Sequence, residues 1–425
     1  MIDLKWVRAY PNLAKQSQID RQEDPAIIDQ VLDLDTQYHQ AQTKFEETRA
    51  EQKALGQQIA SASADQKSQL LQKTKALAET VGQLKLQSEN LQAQRDALAY
   101  EIPNIIEAAP AGGETDFQVV STYGEPRSFD FEPKDHLDLA EITDTIDVRR
   151  GAKVGGSRFY FMKGLGARLE FALLNMAIDQ ATQNGFTLLN TPTLVLPEIM
   201  AGTGFLGKHA AEVYKLADPD DSYLIGTSEV AIAGYHKDEI LDLSNGPLCY
   251  AGFSTCYRRE AGSHGKDTRG IIRVHQFNKV EMFAFCKPDD SFEVHKKMLA
   301  MEEAMIQKCE LPYRVIDIAA GDLGSSAARK FDCEAWLPTQ NRYLELTSTS
   351  NCTTFQARRL SIRYKDVETN TNPVCATLNG TLATTRWIVS IFENHQNADG
   401  SINVPAALQP YIGVKELGAR PSINS

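Results

Sequence analysis

Two heptad patterns of apolar and polar positions run between about Ile27 and Tyr100. In the first, Val31, Leu34, Tyr38, Ala41, Phe45, Thr48, Gln52, Leu55 and Ile59 recur at strict 3-4 spacing. In the second, Leu70, Leu77, Leu84, Leu91 and Leu98 recur every seven residues, and Thr74, Val81, Ser88 and Arg95 fill the alternate seam positions. An apolar period of about 3.5 residues predicts helices that supercoil around one another. The polar stretch from Ser61 to Ser68 separates the patterns, and so short a break forces an antiparallel hairpin. Helices of about 30 residues give an arm roughly 45–50 Å long. No apolar face is left over for a globular body, so the arm is expected to project into solvent.

Pro103 ends the second helix, because proline cannot continue it. Ala109-Pro110-Ala111-Gly112-Gly113 then reads as a linker. The expected organisation is an N-terminal arm domain over 1–102, a linker over 103–115 and a large mixed domain over 116–425. In the core, helices are expected at Gly166–Asn184, Asp290–Cys309 and Leu382–His395. Extended segments are expected at Phe186–Leu189, Thr193–Leu196, Tyr223–Ile225, Cys249–Cys256, Val274–Phe285, Tyr343–Ser348 and Ala376–Leu378. Strands outnumber crossover helices, which favours an α+β fold with a mainly antiparallel sheet. Neither a G-x-x-x-x-G-K-[ST] loop nor a G-x-G-x-x-G turn after a strand is present.

Composition narrows the class. The 425 residues, 42% hydrophobic, allow one large domain of roughly 300 residues plus a smaller one. No window approaches the ~18 apolar residues that span a bilayer. Met1-Ile2-Asp3-Leu4-Lys5 is no signal-peptide start, so a cytoplasmic protein is expected. The seven cysteines include no C-x-x-C pair; reduced thiols are expected, and zinc is not.

The net charge of -12 argues against a general nucleic-acid binder. Yet Arg258, Arg259, Lys266, Arg269, Arg273 and Lys279 crowd one segment against Glu260 and Asp267. That segment is either a solvated charged hairpin or a site for a local anion. The arm, likewise, is either a dimerisation strut or a ruler that touches a large ligand. Its second helix, with Lys67, Lys73, Lys75, Lys85 and Arg95, is the better candidate for phosphate contacts.

The chemistry concentrates after Cys249. Thr255-Cys256-Tyr257-Arg258-Arg259-Glu260 ends an apolar strand, a basic glycine-rich loop follows, and Arg273 to Glu281 returns. An Arg at a strand end can present its planar fork to a phosphate. Phe277 and Glu281 lie four apart, on one face of the return strand. One offers a flat stacking surface and the other a carboxylate.

The stretch from Arg258 to Glu281 resembles motif 2 of the class II aminoacyl-tRNA synthetases, in the long form of the bacterial-type seryl-tRNA synthetases. Thr227-Ser228-Glu229 resembles that family's serine-binding loop. Glu345-Leu346-Thr347-Ser348 and Phe355-Gln356-Ala357-Arg358-Arg359 resemble its late ATP-side strand and loop. Asn379-Gly380-Thr381 through Arg386 resembles motif 3, and Pro192 after Gly185-Phe186 fits motif 1, the dimer element. The similarity covers nearly the whole chain, arm included.

The resemblance implies ATP-dependent activation of L-serine and its transfer to tRNA(Ser), with tRNA(Sec) a further substrate within the family. It implies a homodimer. Arg258, Glu260 and Arg386 would be catalytic: Arg258 on the α-phosphate, Glu260 on the adenine amino group, Arg386 stacked with Phe277 about the adenine. Arg273 would hold the far phosphates, with Arg259, Val274, Leu346 and Thr347 completing the ATP site. Glu345 and Ser348 would hold Mg²⁺ with the nucleotide. Thr227, Ser228, Glu229, Glu281 and Thr381 would line the serine pocket. Such a reaction needs alignment and positive charge rather than an acid–base pair, because the serine carboxylate is already the nucleophile. His275 is expected to support the loop rather than to catalyse. Two rivals share the core motifs: a paralogue that loads a carrier protein, which would lack the arm, and a degenerate binding protein, which would have lost some of Arg258, Glu260, Glu345 or Arg386.

Overall fold

The computed structural model describes residues 1–207, 210–261 and 269–418, without the side chains of 60, 61, 64 and 65. The chain divides into two compact units, Met1–Ile105 and Ile106–Ser425.

The first unit holds helices α1 (Leu4–Ala9), α2 (Pro11–Asp20), α3 (Ala26–Ser61) and α4 (Ala64–Glu101). The heptads appear as one seam: Val31, Ala41, Leu55, Leu84 and Ser88 are buried, and the intervening seam positions are half-buried. The helices run to 36 and 38 residues, longer than the pattern suggested, because only Ala62 and Ser63 stand between them. At 1.5 Å per residue each spans roughly 55 Å. Polar contacts fix the register. Ser88 Oγ donates to Gln42 Oε1 at 2.8 Å. Asp35, 2% exposed, receives Arg8 at 2.6 Å and Arg95 at 3.2 Å, and Arg95 also lies over the Tyr38 ring. The heptads gave no sign of α1 and α2. Their Val7 and Ala14 join Ile28, Val31, Ala99 and Ile102 in a small core of the unit's own.

The second unit is built on an eight-stranded sheet. Its strands in chain order are β1 (Gln118–Tyr123), β2 (Thr187–Asn190), β3 (Leu248–Tyr257), β4 (Gln276–Cys286), β5 (Tyr313–Asp317), β6 (Arg329–Leu337), β7 (Arg342–Asn351) and β8 (Ala376–Thr384). Their spatial order is β1-β5-β6-β7-β8-β4-β3-β2. Every pairing is antiparallel except β2 with β3. The helices α5 (Leu165–Gln183), α6 (Glu229–Tyr235), α7 (Ser291–Lys308) and α8 (Trp387–His395) complete the framework. The largest core cluster lies where α5, α7 and α8 meet the sheet, around Leu173, Met298, Met305 and Trp387. Each such side chain contributes ~1.5–3 kcal/mol by leaving water.

The largest difference from expectation in the second unit lies between β8 and α8. The segment expected to be helical from Leu382 is strand through Thr384, and the helix begins at Trp387. All nine residues of β8 are buried, so the strand shows no polar alternation to betray its length. Strands β1, β5 and β6 were not anticipated. The exposed residues of β1 carry no buried face to read.

Two single-residue irregularities shape the centre of the sheet. Opposite Cys333 and Glu334 of β6 stand Thr347 and Glu345, so Leu346 is an extra residue in β7. Opposite Val280 and Glu281 of β4 stand Ala383 and Thr381, so Leu382 is an extra residue in β8. A bulge of this kind re-aims the side chains beyond it.

Candidate active site

Strands β4, β7 and β8, with Arg258 just past β3, border one cavity of ≈ 130 Å³, which shares Glu229, Arg258, Glu260 and Arg386 with an adjoining cavity of ≈ 530 Å³. Period two along β4 puts Phe277, Lys279 and Glu281 on the inner cavity's wall. The bulge at Leu346 lets Glu345 and Ser348, three apart, line it together, and the bulge at Leu382 does the same for Thr381 and Thr384.

The arginines are held at their backs by carbonyl oxygens. Arg258 follows β3, donates through Nε to Gly226 O at 3.3 Å and stands over the Phe277 ring at 5.3 Å. Its own backbone N–H bonds the carbonyl of His275, whose Nδ1 lies 3.0 Å from Arg258 O. His275 therefore supports the loop. Arg386 donates to Ile272 O and to Glu345 O, each at 3.1 Å. Arg273 lies 3.5 Å from Glu260 and lines the adjoining cavity.

Thr227, Glu229, Arg258, Glu260, Val274, Phe277, Glu281, Glu345, Leu346, Ser348, Thr381 and Arg386 all border the inner cavity. Three other expected side chains turn away. Ser228 Oγ bonds Gly252 O. Thr347 Oγ1 donates to Glu302 on α7 at 2.7 Å. The backbone N–H of Arg259 is bound by Glu212 O, and Arg259 borders neither cavity. Arg358 and Arg359 bond Thr354 and Ala201 instead. Lys266 and Asp267 lie outside the described residues.

With this geometry in place, the comparisons with known proteins become specific. Residues 1–106 match the family "Seryl-tRNA synthetase N-terminal domain", and residues 214–395 match "tRNA synthetase class II core domain (G, H, P, S and T)". A serine–tRNA ligase of Bifidobacterium animalis subsp. lactis is 57% identical over 421 residues, 98% of each chain. That of Beutenbergia cavernae is 59% identical over 97% of this chain and 98% of its own. The crystal structure of a seryl-tRNA synthetase from Pyrococcus horikoshii complexed with ATP superposes with a TM-score of 0.95 at 36% identity, covering 99% of this chain and 100% of that one.

The chain belongs to the seryl-tRNA synthetase family.

It is an enzyme, a class II serine–tRNA ligase with the class II sheet. Strand periodicity alone would have added Lys279, between Phe277 and Glu281, to the expected site of this synthetase. Asn379, two residues before Thr381, carries the same signal. Lys330, which borders the adjoining cavity, sits on β6, for which no strand had been expected.

The site's electrostatics follow from who faces whom. Glu229 accepts from Gln356 Nε2 at 2.7 Å and Asn379 Nδ2 at 3.0 Å. Burial pushes its carboxyl up to about 7; Glu281 adds to the rise, and Gln356, Lys279 and Arg258 oppose it. Burial also pushes Glu345 up, but Lys330, Arg386, Arg258 and Arg273 outweigh it and hold that carboxylate below its ordinary value. Glu345 is therefore ionised at neutral pH.

Among the described residues no group of three or more His, Cys, Asp or Glu side chains could by itself hold a metal ion. An anionic carboxylate and a hydroxyl on one wall do fit Mg²⁺, which is commonly held by one or two carboxylates together with substrate phosphates.

The Glu229 shift makes a stability prediction. A carboxyl whose folded pKa is raised favours the fold while protonated and costs stability as it ionises. Stability should thus fall as pH rises from about 4.5 to about 7 and level off above. Asp332, also raised to about 7 by burial, acts in the same direction. Glu229→Gln, which keeps the oxygen that accepts from Gln356 and Asn379, should flatten part of that slope. Thermal midpoints of both proteins between pH 5 and 8 check this; parallel curves would contradict it.

Proposed function

We propose that this synthetase joins L-serine to ATP, giving seryl-adenylate and pyrophosphate, and then transfers the seryl group to the 3′ end of tRNA(Ser), with tRNA(Sec) a further acceptor where the host makes one. The observation that carries the reading is the convergence of Arg258, Glu260, Phe277, Glu345, Ser348 and Arg386 beside Thr227, Glu281 and Thr381 around one cavity.

In this reading the serine carboxylate oxygen forms a bond to the α-phosphorus as the bond to the bridging oxygen of pyrophosphate breaks. The carboxylate is already a nucleophile, so the protein supplies alignment and positive charge. Arg258, fixed by Gly226 O and the His275 backbone, meets the α-phosphate. Phe277 and Arg386 take the two faces of the adenine, and Glu260 accepts from its amino group. Arg273 holds the far phosphates. Glu345 and Ser348 would hold Mg²⁺, which would neutralise phosphate charge. Thr227, Glu229, Glu281 and Thr381 receive the amino acid. A pocket that hydrogen-bonds the serine hydroxyl rejects alanine by leaving polar groups unpaired.

The arm's second helix, with Lys67, Lys73, Lys75 and Lys85, is assigned to tRNA backbone contacts. Phe171, Leu188, Leu194 and Leu196 are exposed apolar side chains on the segments that resemble motif 1, which supports a homodimer. Among the described residues no helix is long and apolar enough to cross a membrane, and the proposed work, translation, belongs to the cytoplasm.

Serine-dependent ATP–pyrophosphate exchange without tRNA tests the reading, with threonine, alanine and glycine beside it. Exchange should occur with serine and fall at least about 100-fold in Arg258→Ala, the scale of losing one oxyanion-stabilising group. Reversing Lys67, Lys73 and Lys75 to Glu should leave exchange intact and weaken tRNA serylation. No exchange from folded protein supplied with Mg²⁺ would sink the proposal. A sedimentation mass of one chain would contradict the dimer.

A further inference from the structure

We propose that His136 is a positioning residue for the ATP side of the reaction. By accepting from the Ile271 main chain it fixes the peptide that aims Arg386, and Glu393 sets the ring tautomer that lets it accept. The inference rests on the serine-activating reading and goes beyond it to residues that touch no substrate.

His136 opens a short helix, His136–Thr143, and is 2% exposed. It borders neither cavity of the site. The backbone N–H of Ile271 donates to its Nε2 at 3.2 Å, and its Nδ1 lies 3.3 Å from Glu393 Oε1. A ring nitrogen that receives an N–H carries no hydrogen of its own. Nε2 is therefore the bare nitrogen, and Nδ1 is the donor that faces Glu393.

Glu393, fully buried on α8, requires the same tautomer. Its Oε1 also accepts from the His136 backbone N–H at 3.2 Å. Its Oε2 accepts from Thr339 Oγ1 at 2.6 Å and from the Thr339 backbone N–H at 3.4 Å. Each oxygen thus has two donors, which fills the lone pairs of a carboxylate. The opposite tautomer would set a bare Nδ1 against an acceptor and a second N–H against that of Ile271. Both sites are buried, where a stranded polar group is costly.

The peptide that the ring holds leads straight to the site. Ile271 and Ile272 border the inner cavity, and Ile272 O accepts from Arg386 Nε at 3.1 Å. Arg386 is the residue from which α8 starts, and Glu393 follows on the same helix, roughly 10 Å further along its axis at 1.5 Å per residue. The Ile271–Ile272 segment is therefore tied to α8 twice, directly by Arg386 and through His136 by Glu393. Two ties fix an orientation where one leaves a pivot. The fit is close: Gly270 has φ +81°, and a Cβ there would lie 1.8 Å from His136 Nε2. Arg269 also reaches this part of the chain, through Asp135 and Asp138, but its side chain is exposed, and such surface pairs hold weakly. The buried imidazole is the firmer anchor.

The test is ATP–pyrophosphate exchange by wild type, His136→Gln and His136→Asn, with KM measured for ATP and for serine. A Gln amide oxygen reaches the place of Nε2 and can accept from Ile271, whereas an Asn amide reaches only the place of Nδ1. His136→Asn should raise the KM for ATP about 10-fold, the scale of losing a hydrogen bond and stranding its partner, and leave the KM for serine within about twofold. His136→Gln should stay within about threefold of wild type in both, because it keeps the acceptor. In an Arg386→Met background, His136→Asn should cost less than about twofold in ATP affinity by calorimetry, because both act through one contact. Equal effects of Gln and Asn, equal rises in the two KM values or fully multiplicative losses with Arg386→Met would each overturn the proposal. If His136→Asn does not fold by circular dichroism, Gly270→Ala, which drives a Cβ into Nε2, decides: an unchanged KM for ATP overturns it. Absence of exchange in wild type would instead sink the serine-activating reading, and ATP affinity by calorimetry then carries the same comparison of Gln with Asn.

Discussion

In a regular strand, residues three apart point to opposite faces of the sheet. Glu345 and Ser348 are three apart in β7, as are Thr381 and Thr384 in β8, yet all four border one cavity. The extra residues Leu346 and Leu382 make this possible, each inserted where its neighbour strand has none. A sheet with strict alternation would send one member of each pair into the core. The rest of the site depends on this break in register. The bulge in β7 puts the carboxylate and hydroxyl together, and the bulge in β8 brings Thr381 against Glu281.

The second constraint is charge fixed before any ligand arrives. Arg258 and Arg386 are tied by guanidinium hydrogen bonds to main-chain carbonyls, and the contact of Arg386 with the Glu345 carboxylate is longer, at 3.8 Å. Their orientation is set by the main chain. Stabilisation by preorganised charge needs no reorganisation during reaction. The end of the cavity around Glu229 and Glu281 is treated differently. There the carboxylates are compensated by a buried ammonium and by amides from Gln356 and Asn379. One end of the cavity presents oriented cations, the other a compensated set of carboxylates.

Much of this was legible in the sequence, for physical reasons. The heptads were readable because two apolar seams repeat over many turns. Arg258, Glu260, Phe277 and Glu281 were readable because a charged hairpin interrupts an otherwise apolar pair of strands. Lys279 lies on the same face of β4 by the same periodicity. Thr347 and Ser348 could not be sorted by pattern, because the bulge at Leu346 depends on pairing with β6, a partner far along the chain. Ser228 reads like its neighbours Thr227 and Glu229 in sequence, but the turn into α6 buries its hydroxyl against Gly252 O. The short helices α1 and α2 escaped because six and ten residues hold too few periods to register. The arm's buried Asp35 is legible only once Arg8 and Arg95 are brought to it by the fold.

Titration calorimetry of Mg²⁺–ATP with Ser348→Ala and Thr347→Ala tests the register break most directly. If Leu346 turns Ser348 into the cavity and Thr347 toward Glu302, Ser348→Ala should weaken ATP binding about 5- to 10-fold and leave the thermal midpoint nearly unchanged. Thr347→Ala should keep ATP affinity within about twofold and lose ~1–3 kcal/mol of stability, the cost of stranding a buried partner. The opposite assignment, with ATP binding sensitive to Thr347 and indifferent to Ser348, would contradict the account.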